Sequence, residues 1–345
     1  MESIVNVRKQ SKRLIIVMFI IMLFAGIGSL FFGRYSISLK ELNAFLAWPV
    51  TQTLQEVSEQ TLRVIWRIRI PRVIAGVLVG AALAVSGGTF QALFKNPMAS
   101  SNVLGVNQGA AFGAALAILY FLPNQAVIIV GFITGLIAVG LTYVMSSRFQ
   151  MERMVGLILS GMVVGAIFQA GISFIKLIAD PENVLPTITY WLLGSLSGIS
   201  WKHLQTSIIP MLIGFILIFI NRKQLNLLTL GDEKAQTLGV NLKRTRIQVI
   251  IGATLLTASS VAISGMIGWI SLVIPHMCRF IVGSDYRYLI PCSAFMGGAF
   301  LVIIDTLARS LTQIEIPIGI LTALLGAPLF VFLIIKGGRL TYANR

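Results

Sequence analysis

The feature that most constrains this chain is its repeated apolar runs. A helix needs about 18 or more consecutive apolar residues to cross the hydrocarbon core of a bilayer. Inside that core only helices and closed barrels satisfy every backbone polar group. Ten segments are read from the sequence as helical spans: 14–32, 71–94, 103–122, 126–146, 155–179, 207–220, 247–266, 267–282, 289–311 and 318–335. The sixth shows only a short core, and the eighth is interrupted by Pro275, His276 and Arg279. Composition agrees. Of the 345 residues 56% are hydrophobic and 11% charged, against about 25% charged in a soluble domain. The expected fold is an all-α integral membrane protein of about ten transmembrane helices, one transmembrane domain over 1–345. The net charge of +15 sits mostly at the ends of apolar runs, which points to a membrane surface and away from nucleic acid.

The N-terminus carries Arg8, Lys9, Lys12 and Arg13 before an apolar run. That run is long enough to span, and no small-residue cleavage site follows, so it reads as a retained first helix. With the N-terminus inside, the inner side collects eighteen of the 27 Lys and Arg. They are Arg8, Lys9, Lys12, Arg13, Lys95, Arg148, Arg153, Arg222, Lys223, Lys234, Lys243, Arg244, Arg246, Arg279, Arg287, Lys336, Arg339 and Arg345. This bias obeys the positive-inside rule and leaves both termini cytoplasmic. Segment 33–69 becomes an external loop long enough for a surface helix, and 221–246 becomes the largest internal loop.

An internal repeat is legible. At one constant offset Ala84/Ala262, Ser86/Ser264, Gly87/Gly265, Pro97/Pro275 and Gly105/Gly283 are identical. The first copy runs outside to inside and the second inside to outside, the pattern of an inverted-topology repeat. The halves are expected at 71–179 and 247–335. Gly76 and Gly80, four apart, followed by Gly87 and Gly88, give a helix able to approach its neighbours closely.

Few polar residues lie in the spans. Lys176 is at an outer helix end and can snorkel. Asp305 and Arg309, at i and i+4, can pair. Cys278 and Cys292 fit no metal or redox spacing and read as inert buried thiols. No metal site and no catalytic residue is expected. His203 and His276 have no ligand cluster beside them, and His276 reads as structural. No phosphate-binding G-x-x-x-x-G-K-[ST] loop occurs, and no span carries a chain of carboxylates. Energy for transport would then come from another polypeptide. A proton- or sodium-coupled transporter is the competing reading, and Asp305 is the one carboxylate available to it.

Two polar stretches stand out. "LGDEKAQTLG" begins at Leu230 in the inner loop. Asp232 is the expected N-cap, Glu233 suits the helix dipole, and Gly239 is the expected C-cap. A helix this short is unstable alone. Leu230, Ala235 and Leu238 offer an apolar face, either to the chain's own bundle or to a cytoplasmic partner. "RVIWRIRIPR" places Arg63, Arg67, Arg69 and Arg72 on the outer side, where positive charge is disfavoured. They either anchor the interface with Trp66 or meet carboxylates of an external partner, with Arg309 joining them.

At these residues the chain resembles the FecCD-type permeases of ABC importers for iron–siderophore complexes, haem and vitamin B12. The motifs are "RIPR", "GAALAVSGGTFQALFKNPMASSNVLGV", "WLLGSLSG", "LGDEKAQTLGV", "IPHMCRFIVGSDYRYLIP", "DTLAR" and "EIPIGILTALLGAPLF", spread over 67–339. The resemblance implies a type II ABC importer permease fold in a bacterial cytoplasmic membrane, paired with a second copy or a paralogue. It implies two cytoplasmic ATPase subunits, which hold ATP and Mg²⁺, an extracytoplasmic substrate-binding protein, and no cofactor on this chain. It assigns ATPase coupling to Leu230, Gly231, Asp232, Glu233, Ala235, Leu238 and Gly239. It assigns binding-protein docking to Arg69, Arg72 and Arg309, and pathway contacts to the fifth helix, where Ser160, Met162 and Gln169 are the candidates. An iron–siderophore complex is the first expected cargo; vitamin B12, haem and an oxyanion such as molybdate are the alternatives. Ser271 stands where many relatives have glycine, which puts close helix packing there in question.

Overall fold

The computed structural model describes residues 2–33, 35, 37–38, 40–41, 44–45, 57–149 and 153–343, with side chains over 9–149, at those positions, and over 154–336. Much of the expected external loop, and the side chains of Arg8, Arg153, Arg339 and Arg345, lie outside that set. The described residues form helices α1 Glu2–Phe31 and α2 Glu59–Val64. One π turn, Ile65–Arg69, leads on into α3 Ile70–Leu93. A 3₁₀ turn, Ser101–Leu104, precedes α4 Val106–Leu119, α5 Asn124–Ser146 and α6 Arg153–Ile178. Then come α7 Val184–Leu192, α8 Trp201–Thr229, α9 Asp232–Thr237, α10 Leu242–Ser264, α11 Ile270–Val282, α12 Tyr286–Ser310 and α13 Ile318–Ala343. Among the described residues eight helices are long and apolar enough to cross a membrane, and α4 and α11 are shorter apolar helices. These ten match the ten expected spans.

Three differences have physical causes. The sixth span, expected at 207–220, runs over Trp201–Thr229 because Ser200 and His203 form a capping box at its start and its polar last turns extend past the apolar core. The segment α7 was not anticipated. It is a short apolar helix between α6 and α8 whose Val184 and Ile188 pack into a cluster with Ala115 and Ile175. The seventh and eighth spans are not contiguous. Gly265 takes φ +68° and ends α10, and the connection after α7 packs directly on that end, with Ser195 N donating to Ser264 O at 2.8 Å.

The same break qualifies the constant-offset repeat. Ala84 and Ser86 lie in α3, and Ala262 and Ser264 lie in α10, but α3 continues to Leu93. Pro97 therefore falls in a turn, whereas Pro275 lies inside α11. The correspondence between the halves is carried by packing instead. α3 touches α12 and α11, and α10 touches their counterparts α5 and α4. The contacts α4–α5, α4–α6 and α5–α6 are matched by α11–α12, α11–α13 and α12–α13.

α3 is the central element, buried over nearly all of its second half. A helix apolar all round needs neighbours on every side. Glycine permits the closest of them. A Cβ at Gly80 would lie 2.2 Å from Gly297 O, and one at Gly297 would lie 2.4 Å from Gly80 O, so α3 and α12 cross backbone to backbone. Farther along, a Cβ at Gly87 would lie 1.8 Å from Ser271 O. Close packing at Ser271 thus survives the loss of a glycine there, because the glycine needed is on the opposing helix. The Ser271 hydroxyl instead accepts from Ser101 Oγ at 3.2 Å.

This crossing makes a prediction. Gly80→Leu must separate α3 from α12, an overpacking cost of about 1–3 kcal/mol or more. It is expected to lower the Tm of the detergent-solubilised protein by several degrees. Gly140→Leu, at a glycine with open space around it, should leave Tm unchanged.

Candidate partner-docking sites at the two ends of the bundle

At the inner end, α9 forms the knob expected from the sequence, with a corrected cap. Gly231, at φ +107°, is the N-cap residue, and Asp232 is the first residue of the helix. Leu238 is the C-cap and Gly239 follows at φ +83°. Both glycines occupy backbone conformations that an L side chain resists. Asp232 is therefore released from capping. Its carboxylate accepts from Arg246 Nη2 at 2.7 Å and from Lys95 Nζ at 3.2 Å. Arg246 belongs to α10, and Lys95 to the turn after α3. One carboxylate thus ties the knob to an element of each half.

Burial around Asp232 pushes its carboxyl up, but hydrogen bonds and charge from Arg246 and Lys95 outweigh this and hold it below its ordinary value. The Asp232 side chain is partly exposed, so each pair contributes no more than about 1 kcal/mol. Its effect is mainly on orientation. Nearby, Asn226 at the end of α8 donates to Asp285 Oδ1 at 2.7 Å and accepts from Tyr286 N at 2.8 Å. That fixes the approach to the knob against the start of α12.

The apolar face divides in two. Ala235 is fully buried against the chain's own helices, whereas Leu230 is 53% and Leu238 59% exposed. Glu233 is exposed beside them. A short helix anchored by one alanine and presenting two leucines outward has an unfilled apolar surface.

At the outer end the three candidate arginines are buried: Arg69 is 2%, Arg72 6% and Arg309 6% exposed. This differs from a surface cluster awaiting a partner. Arg69 donates to the carbonyls of Leu30 and Tyr35. Arg72 donates to both oxygens of Asp305 at 2.9–3.0 Å and to both oxygens of Glu315 at 2.9–3.0 Å. Arg309 donates to Ser29 O and Oγ at 2.6 Å and lies 3.7 Å from Asp305, the anticipated i, i+4 pair. Asp305 therefore serves two arginines, which sequence spacing alone did not reveal. Glu315, which sequence reasoning missed, lies within the quoted motif "EIPIGILTALLGAPLF" and brings the second carboxylate. Arg309 also lines an open cavity of about 670 Å³ with Phe31, Gly33 and Gln313. Arg63 and Arg67 remain exposed, and Arg63 pairs with Glu59 at 3.0 Å.

The three pathway candidates do not share a face. Met162, 65% exposed, and Gln169, also exposed, lie seven residues apart on one side of α6. Ser160 is fully buried on the other side, and its Oγ has no protein hydrogen-bond partner. Cys278 and Cys292 are free and buried. Among the described residues no group of three or more His, Cys, Asp or Glu forms a metal cluster.

Ten apolar helices, eight of them in two quartets with matching contacts, with a braced knob at one end and an arginine–carboxylate cluster at the other, define a multi-pass membrane permease. The chain belongs to the FecCD transport family, whose model matches residues 19–336. It is 37% identical to the molybdate import system permease protein MolB of Haemophilus influenzae, over 92% of this chain and 94% of that protein. It is 35% identical to the hemin transport system permease protein HmuU of Yersinia pestis, over 96% of this chain and 98% of that one. The fold superposes with TM-score 0.85 on an inward-facing structure described as a metal-chelate type ABC transporter, at 34% identity, covering 94% of this chain and 99% of that one. The chain is thus a non-catalytic transmembrane subunit of the ABC importer type, and it shares the type II importer permease fold.

The grip on Asp232 has a pH signature. Because its carboxyl is depressed in the folded protein, the contribution of its ion pairs is fully present above its ordinary value and is lost as pH falls through the lower folded value. A spin label at Leu238→Cys should keep constant mobility from pH 7 to about 5 and become mobile only below about 4. Arg246→Gln should produce part of that mobility already at pH 7.

Proposed function

We propose that this chain imports a metal chelate, first an iron–siderophore complex, through the cytoplasmic membrane of a bacterium, driven by ATP hydrolysis on partner subunits. Both termini then lie in the cytoplasm. Two ATPase subunits carry ATP and Mg²⁺, and a second permease, identical or paralogous, completes the pathway. The observation that carries this reading is α9: a knob braced by Asp232 to both halves, presenting Leu230, Leu238 and Glu233 outward. A knob of this kind fits a cleft on each ATPase. Closure of the ATPase pair would move α9 as one piece, and its ties to Lys95 and Arg246 would pass that movement to α3 and α10. The halves then rock against each other and the pathway changes sides.

The chelate meets few charged groups on its way. Met162 and Gln169 on the exposed face of α6 are the proposed pathway contacts. Tight binding belongs to an external substrate-binding protein, and a pathway with weak contacts releases its cargo. That protein docks at the outer arginine cluster. Its carboxylates meet Arg309, which lines the open cavity, with Arg69 and Arg72 behind it. A metal-chelate cargo is supported by the superposable transporter and by the hemin permease relative. Molybdate, the cargo named for the other relative, is the alternative. Mass spectrometry of the ligand that co-purifies with the external binding protein separates the two.

Two substitutions test the partner sites. Leu230→Glu with Leu238→Glu should preserve the fold and lower transport-coupled ATP hydrolysis at least about tenfold, the loss of one apolar hot spot. Full coupling in that variant would make the knob a structural loop only. Arg309→Gln removes a donor at the cavity without placing a negative charge beside Asp305. It should weaken docking of the external binding protein about tenfold or more, read by surface plasmon resonance, and unchanged docking would defeat the outer site.

A further inference from the structure

Every nitrogen of the Arg72 guanidinium already donates to a carboxylate. Nε donates to Asp305, Nη1 to Glu315, and Nη2 to both. Four of its five N–H groups are taken in this way, so a docking carboxylate from outside finds no pair of donors there for its two oxygens. Something must leave first, and the two internal carboxylates are not equally held. The Asp305 side chain is 2% exposed and lies between Arg72 and Arg309 on the body of α12. The Glu315 side chain is 18% exposed and sits in the connection between α12 and α13, just before Pro317. Glu315 is the carboxylate that a ligand can reach and the backbone can move.

Among the described residues of this cluster, three guanidiniums face two carboxylates. The cluster is one negative charge short of neutral, with the deficit on the side of Arg69 and Arg309. Both of these bracket Gly33: a Cβ there would lie 3.0 Å from Arg69 Nη2 and 3.4 Å from Arg309 Nη1. Gly33 lines the open cavity. An arriving carboxylate therefore enters on the side of the cluster where the one excess positive charge lies, and has Arg72 as its next neighbour.

Resting on the docking reading above, we infer that Glu315 is an internal stand-in for the partner's carboxylate, exchanged on Arg72 when the binding protein docks. The stand-in keeps a buried guanidinium paired when no partner is present, which matters because an unpaired buried charge is strongly destabilising. Exchange of one carboxylate for another changes the electrostatics little, so the swap is reversible. Its consequence is mechanical. The connection that carries Glu315 starts α13, and α13 is laced to α7: Ile318 N donates to Gly194 O at 2.8 Å and Gly319 N to Leu193 O at 3.0 Å. Tyr190 OH also donates to Glu315 O at 3.4 Å. Release of the Glu315 side chain unpins from α3 the outer end of α13, together with the α7 connection. Docking outside is thereby converted into freedom of two helix ends.

The test uses the full permease assembled with its ATPase in nanodiscs. The probe is the substrate-loaded binding protein encoded beside the permease gene. Glu315→Gln removes the competitor and keeps the side chain's shape, so docking should tighten about tenfold, equivalent to Arg72 being free about one-tenth of the time in the native protein. The double variant Arg72→Gln/Glu315→Gln should lose that gain, and Glu315→Asp should dock like the native protein. Docking by Glu315→Gln no tighter than native, while Arg309→Gln still weakens it, overturns the exchange and leaves Glu315 a brace. If Arg309→Gln also docks normally, the docking site itself is wrong and the exchange falls with it. A second readout leaves the network intact. Spin labels at Ile68→Cys and Ile314→Cys, both exposed, should move apart when the binding protein is added, and an unchanged distance contradicts the release.

Discussion

The backbone contact between Gly80 and Gly297 is the constraint on which the rest of the structure depends. In a bilayer, apolar side chains gain nothing by leaving lipid for protein, so helices associate through close packing. Two glycines facing each other bring α3 and α12 together without side chains between them. That crossing places α3 at the centre of the bundle, against α10, α11 and α12. It also sets the spacing of everything at the ends of α3. Arg72, two turns before Gly80, meets Asp305, two turns after Gly297 on α12. At its other end α3 leads to Lys95, which reaches Asp232 on the knob.

On the proposed reading α3 is therefore a rod between two partner surfaces. Its outer end carries the guanidinium that Asp305 and Glu315 hold. Its inner end meets the knob that presents Leu230 and Leu238. The two ends are built in opposite ways. The outer cluster is buried, and Arg72 is held by carboxylates of the same chain, so on the proposed reading it would respond to a partner by exchange. The inner knob presents exposed Leu230 and Leu238, so on the proposed reading it would respond by being covered. A rigid helix between them lets an event on one face bias an arrangement on the other, which is what coupling of transport to ATP hydrolysis requires.

Much of this was legible in the sequence. The ten spans followed from apolar length, and the knob from Gly231, Asp232 and Gly239 in the largest inner loop. The glycines of α3 announced close packing. What the sequence did not show is where side chains from distant elements meet. Asp305 looked like the i, i+4 partner of Arg309, and only folding brings Arg72, 233 residues away, onto the same carboxylate. Glu315 had no visible purpose until α3 and the start of α13 lay side by side. Ser160, Met162 and Gln169 lie within ten residues of one helix, but helical phase puts Ser160 on the buried side. The α7 helix was missed because nine residues of apolar sequence are too few to register as a span and too apolar to register as a loop. The constant-offset repeat was a partial signal: the contacts of the two halves correspond, while local structure departs where α10 ends at Gly265.

On the proposed reading the exposed face of α9 is seated in an ATPase subunit and passes its movement into the permease. The most direct measurement is site-specific photo-crosslinking in the intact membrane, with a photoreactive residue at Leu238 and, for comparison, at Ile209 on the exposed side of α8. An efficient crosslink is expected from position 238 to the ATPase, changing in yield when a non-hydrolysable ATP analogue is added, and none from position 209. Crosslinks from position 238 only to lipid or to the permease itself would contradict it.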